Sequence, residues 1–144
     1  MSAPVFVDSN VLIYWVDGGD PAKQQRASLW IEELWKDRSG RISFQVFQEF
    51  FFAATKRKPE LVEKIRAEVR HLLAWHPVPV DMPLLERAWK IQDRYHLSFW
   101  DSLIVAAAKA ATCRWLLTED LQPGQTLDGV TVVNPFHTTP DQLS

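Results

Sequence analysis

Short β-prone runs and longer stretches with a helical apolar rhythm alternate along this chain. The runs are Val5-Phe6-Val7, Arg41-Ile42-Ser43, Trp115-Leu116-Leu117-Thr118 and Gly129-Val130-Thr131-Val132-Val133-Asn134, each expected as a strand. Between them the spacing predicts helices. The first covers Val11 to Val16 and breaks at Gly18-Gly19. Asp20-Pro21 then has the form of an N-cap followed by proline in the first turn. The helix it opens runs to about Arg38, with Ala27, Trp30, Ile31, Leu34 and Trp35 on one buried face and Gly40 as its end. Further helices are expected from Gln45 to about Lys56, from Pro59 to about Trp75, from Asp81 as cap to about Tyr95, and from Phe99 to about Ala111. His76-Pro77-Val78-Pro79-Val80 is held extended by its prolines. Strands alternating with helices imply an α/β fold around a mostly parallel, two-sided sheet. In such sheets the working groups gather beyond the carboxyl ends of the strands.

No repeat, linker or low-complexity stretch divides the sequence, so residues 1–144 are read as one domain. That length buries a proper core without a disulfide or structural metal. The lone Cys113 excludes an internal disulfide and any multi-cysteine metal site. The longest apolar run, Leu103 to Ala108, is too short to span a bilayer, and Met1-Ser2-Ala3-Pro4 lacks the features of a secretion signal. A cytoplasmic setting and no membrane partner are expected. The net charge of −2 lacks the global basic footprint of a protein that wraps nucleic acid. It is compatible with a nucleic-acid enzyme in which clustered carboxylates offset a basic rim.

Five acidic residues, at four places in the chain, change the picture. Asp8 follows the first strand, Glu119 and Asp120 follow the strand ending at Thr118, Asp101 lies in the first turn of a helix, and Glu49 sits inside an otherwise apolar helix. Each has a bland alternative. Asp8 or Ser9 is placed to cap the helix that follows. Ser98-x-x-Asp101 matches a capping box. Glu119 and Asp120 suit a turn, and Glu49 shares a thin solvent-facing strip with Gln45, Gln48, Phe52 and Lys56. Together, however, the topology aims all of them at one rim of one sheet. Carboxylates crowded in this way repel one another unless a cation is present. Mg²⁺ or another hard divalent ion relieves that repulsion and prefers oxygen ligands. Such a site suits metal-assisted phosphodiester hydrolysis.

Rival sites are weaker. His71, His76, His96 and His137 lack metal-ligand spacing, and Cys113 reads as a small core residue. There is no glycine-rich nucleotide-binding motif and no G-x-S-x-G. Asp8-Ser9-Asn10 lacks the second aspartate of an aspartyl-phosphate phosphatase, and no lysine stands where a receiver domain needs one.

Val5-Phe6-Val7-Asp8-Ser9-Asn10-Val11-Leu12-Ile13-Tyr14 resembles the opening motif of PIN-domain ribonucleases, and of VapC-type toxins in particular. Ile42-Ser43-x-Gln45-Val46-Phe47-Gln48-Glu49-Phe50, Ser98 to Ala108, Leu117-Thr118-Glu119-Asp120-Leu121-Gln122-Pro123-Gly124 and Val132-Val133-Asn134-Pro135-Phe136 are similar to the later motifs, in the expected order. The resemblance implies a small α/β/α sandwich that binds Mg²⁺ (or Mn²⁺) and cuts RNA by hydrolysis. It also implies a homodimer and a cognate antitoxin that blocks the site. Carried over residue by residue, it makes Asp8, Glu49, Asp101 and Asp120 catalytic metal ligands. Glu119 is a possible substitute for Asp120, and Ser9 and Thr118 orient carboxylates. Two other readings stand beside the toxin: a housekeeping RNA or DNA nuclease on the same scaffold, and a non-catalytic module whose acids hold a metal structurally or cap helices.

One basic stretch adds to this. Lys56, Arg57, Lys58, Lys64, Arg66 and Arg70 outnumber Glu60, Glu63 and Glu68, leaving a local excess of three positive charges. Lys56, Arg57 and Lys58 are candidate RNA contacts, with a solvated helix face as the alternative.

Overall fold

The structure is a computed structural model that describes residues 3–143; Met1 and Ser2, which open the stretch read above for a leader, lie outside the described residues. Five strands form one sheet in the order β2-β1-β3-β5-β4, comprising β1 (Val5–Val7), β2 (Gly40–Arg41), β3 (Trp115–Leu117), β4 (Thr126–Leu127) and β5 (Val130–Val133). β1 pairs in parallel with β2 and β3, and β3 with β5, while β4 runs antiparallel at the edge. The central residues Phe6, Val7, Leu116 and Leu117 are fully buried, as a sheet covered on both faces requires.

The connections explain the two covered faces. Helices α1 (Ser9–Val16) and α2 (Pro21–Lys36) carry the chain from β1 to β2. α3 (Phe44–Arg57), α4 (Val62–His71), α5 (Met82–Tyr95) and α6 (Phe99–Ala110) carry it from β2 back across β1 to β3. These crossovers run in opposite directions along the sheet. Since parallel crossovers are right-handed, the two helix groups lie on opposite faces, giving the expected α/β/α sandwich. α6 packs on β3 and β5 with α5 against it, and α2 packs on β2 and α1. The same reversal puts a topological switch point between β1 and β3, and in sheets of this kind ligands gather beyond the strands' carboxyl ends at such a point.

The capping signals act as expected. Asp20 Oδ1 accepts from the Lys23 N–H, Asp81 Oδ1 from the Leu84 N–H and Ser98 Oγ from the Asp101 N–H. Four expectations need correcting. The helix at Pro21 ends at Lys36, and the chain turns at Arg38 (φ 55°), so Gly40 is not its stop. Gly40 instead opens β2, where an added Cβ would lie 2.6 Å from the Trp75 indole; only glycine lets the strand pass that ring. Trp35 is not in the buried face but 46% exposed, tilted against Trp75. The helix expected over Pro59 to Trp75 is three pieces, with 3₁₀ turns at Pro59–Leu61 and Leu72–Trp75 flanking α4. β4 was not expected at all; it joins β5 through Asp128-Gly129, both at positive φ, the pairing that tight hairpins favour.

Candidate active site

The carboxyl ends of β1 and β3 bring the strand-terminal acids to the switch point. Asp8 caps α1 and is buried, its Oδ1 accepting from the Ser9 N–H at 2.7 Å. Its Oδ2 accepts from Thr118 Oγ1 at 2.8 Å and from Asn10 Nδ2 at 3.4 Å. Asn10 is the hub of the cluster. Its Nδ2 also lies 3.0 Å from Thr118 Oγ1 and 3.1 Å from Asp120 Oδ2, and its Oδ1 accepts from the Glu119 N–H. Thr118 Oγ1 in turn accepts from the Asp120 N–H at 3.1 Å. One amide and one hydroxyl thus lock the two strand ends together.

Glu49 joins from α3. Ser9 Oγ donates to its Oε1 at 3.3 Å, and Gln45 Nε2, one helical turn earlier, lies 3.5 Å from its Oε2. The same Gln45 amide donates to the Trp100 carbonyl at 3.3 Å and so ties Glu49 to the first turn of α6. Asp101 stands in that turn. The cap uses only its backbone N–H, and its carboxylate charge pushes on both Glu49 and Asp120. The capping and catalytic readings of Asp101 are therefore compatible.

The electrostatics follow from this crowding. Burial is the main cause that lifts the Asp8 carboxyl to about 7; Glu49 and Asp120 add repulsion, while the bonds from Thr118 and the Ser9 N–H oppose it. Glu49 is raised chiefly by burial, with Asp101 and Asp120 adding repulsion and Gln45 and Ser9 opposing. Asp120 is raised chiefly by lost hydration, against the Asn10 bond and with Glu119 and Asp101 reinforcing. Among the described residues, no three His, Cys, Asp or Glu side chains converge as they stand on a point that would hold a metal ion. The Asp8, Glu49 and Asp120 carboxylates are each turned onto their own donors instead.

Glu119 separates from this group. Its Oε2 lies 2.9 Å from Lys23 Nζ, so its carboxylate is engaged in an ion pair with α2. That leaves Asp120 as the acid drawn into the cluster. Of the basic stretch, Arg57 Nε lies 2.8 Å from the buried Asp17 Oδ2, and Arg66 pairs with Glu63. Two of its six cations are thus engaged within the protein. Lys56 lies over the exposed Phe52 ring. Cys113 is a buried core residue whose thiol burial pushes up to about 12. All four histidines are exposed. Sequence reasoning assigned no role to Asn10, Gln45 or Lys23. Asn10 and Gln45 carried a signal, as amides two and four residues from Asp8 and Glu49; Lys23 carried none.

A model of the PIN domain family matches residues 5–125. No match is found among curated protein sequences. Among solved structures, the chain is similar to one from a toxin–antitoxin complex of Klebsiella pneumoniae, at 20% identity and TM-score 0.64, covering 91% of this chain and 97% of that one. It is similar to VapC20 of Mycobacterium tuberculosis, a toxin that cleaves the sarcin–ricin loop, at 20% identity and TM-score 0.61, covering 78% and 86%. It is also similar to a chain of VapBC2 from Rickettsia felis bound to a DNA fragment from its promoter, at 15% identity and TM-score 0.63, covering 89% and 96%. With the family model matching from the first strand to the loop before β4, the chain belongs to the PIN domain family.

Proposed function

We propose that residues 1–144 are a single nuclease domain, a metal-dependent endoribonuclease that acts in the cytoplasm as the toxin of a toxin–antitoxin pair. The observation that carries this reading is the gathering of Asp8, Glu49, Asp101 and Asp120, from four separate elements, at the switch point of the sheet. The donor chemistry fits a hard divalent cation such as Mg²⁺ or Mn²⁺. It is all oxygen, and it carries mutual repulsion that a cation would relieve. These four residues would hold the metal, which when bound supplies an activated water and stabilises the departing oxygen.

The remaining work falls to the chain itself. Asn10 and Thr118 fix Asp8 and Asp120 relative to each other, and Ser9 with Gln45 fixes Glu49. Lys56 and Lys58 are proposed to contact RNA phosphates. Arg57 serves mainly to neutralise Asp17. The exposed apolar residues Phe44, Phe52, Val80, Met82 and Trp100 offer surface for a second copy of the chain and for an antitoxin. The complexes among the similar structures support an antitoxin partner.

The test is cleavage of a broad RNA panel with Mn²⁺, with Mg²⁺ and with EDTA, comparing wild type with a folded Asp101→Asn variant. Metal-dependent cleavage lost in Asp101→Asn is the expected result. Equal cleavage in both, or none in either, would return Asp101 to its cap and favour the binding-module reading.

A further inference from the structure

Lys23 sits on the first turn of α2, where neither capping nor core packing needs a cation. Its Nζ lies 2.9 Å from Glu119 Oε2 and 3.3 Å from the Tyr14 hydroxyl. It also stands over two rings, 4.7 Å from the Tyr14 centroid and 4.9 Å from that of Phe136. The rings hold each other edge to face at 5.2 Å. A lysine normally samples many rotamers; here three elements clamp one ammonium in place, next to the residue that precedes Asp120. An ammonium has three donors. Two are directed at Glu119 and Tyr14, and the side chain is 35% exposed, so the third is open to an incoming acceptor.

Function supplies a reason for the arrangement. The site presents four carboxylates to a substrate that is itself a polyanion, so a fixed positive charge at the lip is needed to seat the strand. Two of the six cations of the basic stretch are already engaged, Arg57 on Asp17 and Arg66 on Glu63. We propose that Lys23, pre-positioned by Tyr14, Phe136 and Glu119, offers its third donor to a phosphate of single-stranded RNA beside the scissile bond, with Glu119 as the counter-ion that competes with the phosphate for the ammonium charge. This rests on the nuclease reading above and adds one phosphate subsite to it.

The bland alternative is a rim ion pair that ties α2 to the loop after β3 and adds little to stability. The two differ in sign. Binding of a short fluorescein-labelled single-stranded RNA of mixed sequence would be followed by anisotropy in the Asp101→Asn background across a salt series. Lys23→Met, which keeps the stem on the rings, is expected to weaken binding about tenfold and lower the salt slope by roughly 0.7. Lys23→Arg is expected to keep the slope. Glu119→Gln is expected to tighten binding, and to do so less when Lys23 is already Met. Circular dichroism and urea midpoints check that each variant is folded. If Lys23→Met leaves affinity and slope unchanged, or if Lys23→Met and Glu119→Gln both weaken binding, the pair is structural and the subsite is overturned while the nuclease stands. If the Asp101→Asn parent binds no RNA and the wild type cuts none, the nuclease reading fails and this proposal with it.

Discussion

The two ends of the sheet are built from the same strands by opposite means. At the carboxyl end, Asp8, Asn10 and Thr118 are buried polar groups knit by hydrogen bonds, and burial and repulsion raise the neighbouring carboxyls. At the amino end, Gly40 passes against the Trp75 ring, Trp75 is 2% exposed and Cys113 is a buried thiol. One end accepts electrostatic cost to assemble a charged cluster; the other is packed so closely that one methyl group has no room. Stability and chemistry are thereby separated along a strand of three residues, β1. Perturbations at the two ends should differ in kind.

The largest expected effect tests the cost at the carboxyl end. Asp8 has a native pKa of about 7 against an ordinary value of 3.8. The unfolded chain therefore releases this proton first as pH rises. Metal-free stability falls between those two values and is flat above the upper one, by an amount on the order of a few kcal/mol. Glu49 and Asp120, raised as well, add to the same slope. Urea denaturation in EDTA at about pH 5 and about pH 8 should show the protein more stable at the lower pH. Asp8→Asn should shrink that difference and exceed wild type in stability at the higher pH. A protein that gains stability as pH rises would show that the acids are not crowded in solution.

Gly40→Ala tests the other end. The added Cβ meets the buried Trp75 ring at 2.6 Å, so ring or strand must move, at about 2–3 kcal/mol. Denaturant midpoints should drop, with cleavage per folded molecule unchanged. A wild-type midpoint would mean that the ring yields freely and the contrast between the ends is overstated. Asn10→Ala, a smaller change, should do the reverse of Gly40→Ala. Loss of the amide that joins Asp8, Thr118 and Asp120 should cut metal affinity or turnover about 10- to 100-fold, measured by metal titration of cleavage. If its loss moved only the melting temperature, the network would be structural.

What could be read in advance follows the same division. Strand-terminal Asp8 and the caps at Asp20, Asp81 and Ser98 were legible because their signals are local: a side chain serving the backbone within a few residues. Asp120 was legible only as one of two acids following a strand, since its partner Asn10 is brought to it by the fold. Glu49 and Asp101 became legible only when topology was added to spacing. Lys23 was not legible, because its partners Glu119 and Phe136 are brought to it by the fold from the far end of the chain. Trp35 failed for a related reason. Helical spacing marks a face, but how wide a stripe the sheet covers depends on tertiary packing. β4 is a different case, since Asp128-Gly129 is a strong hairpin signal. Its strand is two residues long, too short to show an alternating pattern.

The smallest expected effect lies at the amino end, where α6 turns into β3. Thr112 has φ 55°, a left-handed conformation that crowds a β-branched side chain. The hydrogen bonds explain why it is held there. The Cys113 N–H donates to the Ala108 carbonyl and the Thr112 N–H to that of Lys109, the paired bonds of a Schellman helix stop. Cys113 and Ala108, the positions that flank such a stop, are both buried. Glycine is the usual residue at the position Thr112 occupies, because it has no Cβ to strain. Thr112→Gly therefore relieves strain in the native state while adding freedom to the unfolded chain, and the relief is the larger of the two. The variant should gain about 0.5–1 kcal/mol in urea denaturation with cleavage untouched. A loss of stability would mean that the exposed threonine contributes something beyond its backbone. The amino end would then hold a polar determinant of its own, and the division between the two ends would be less complete.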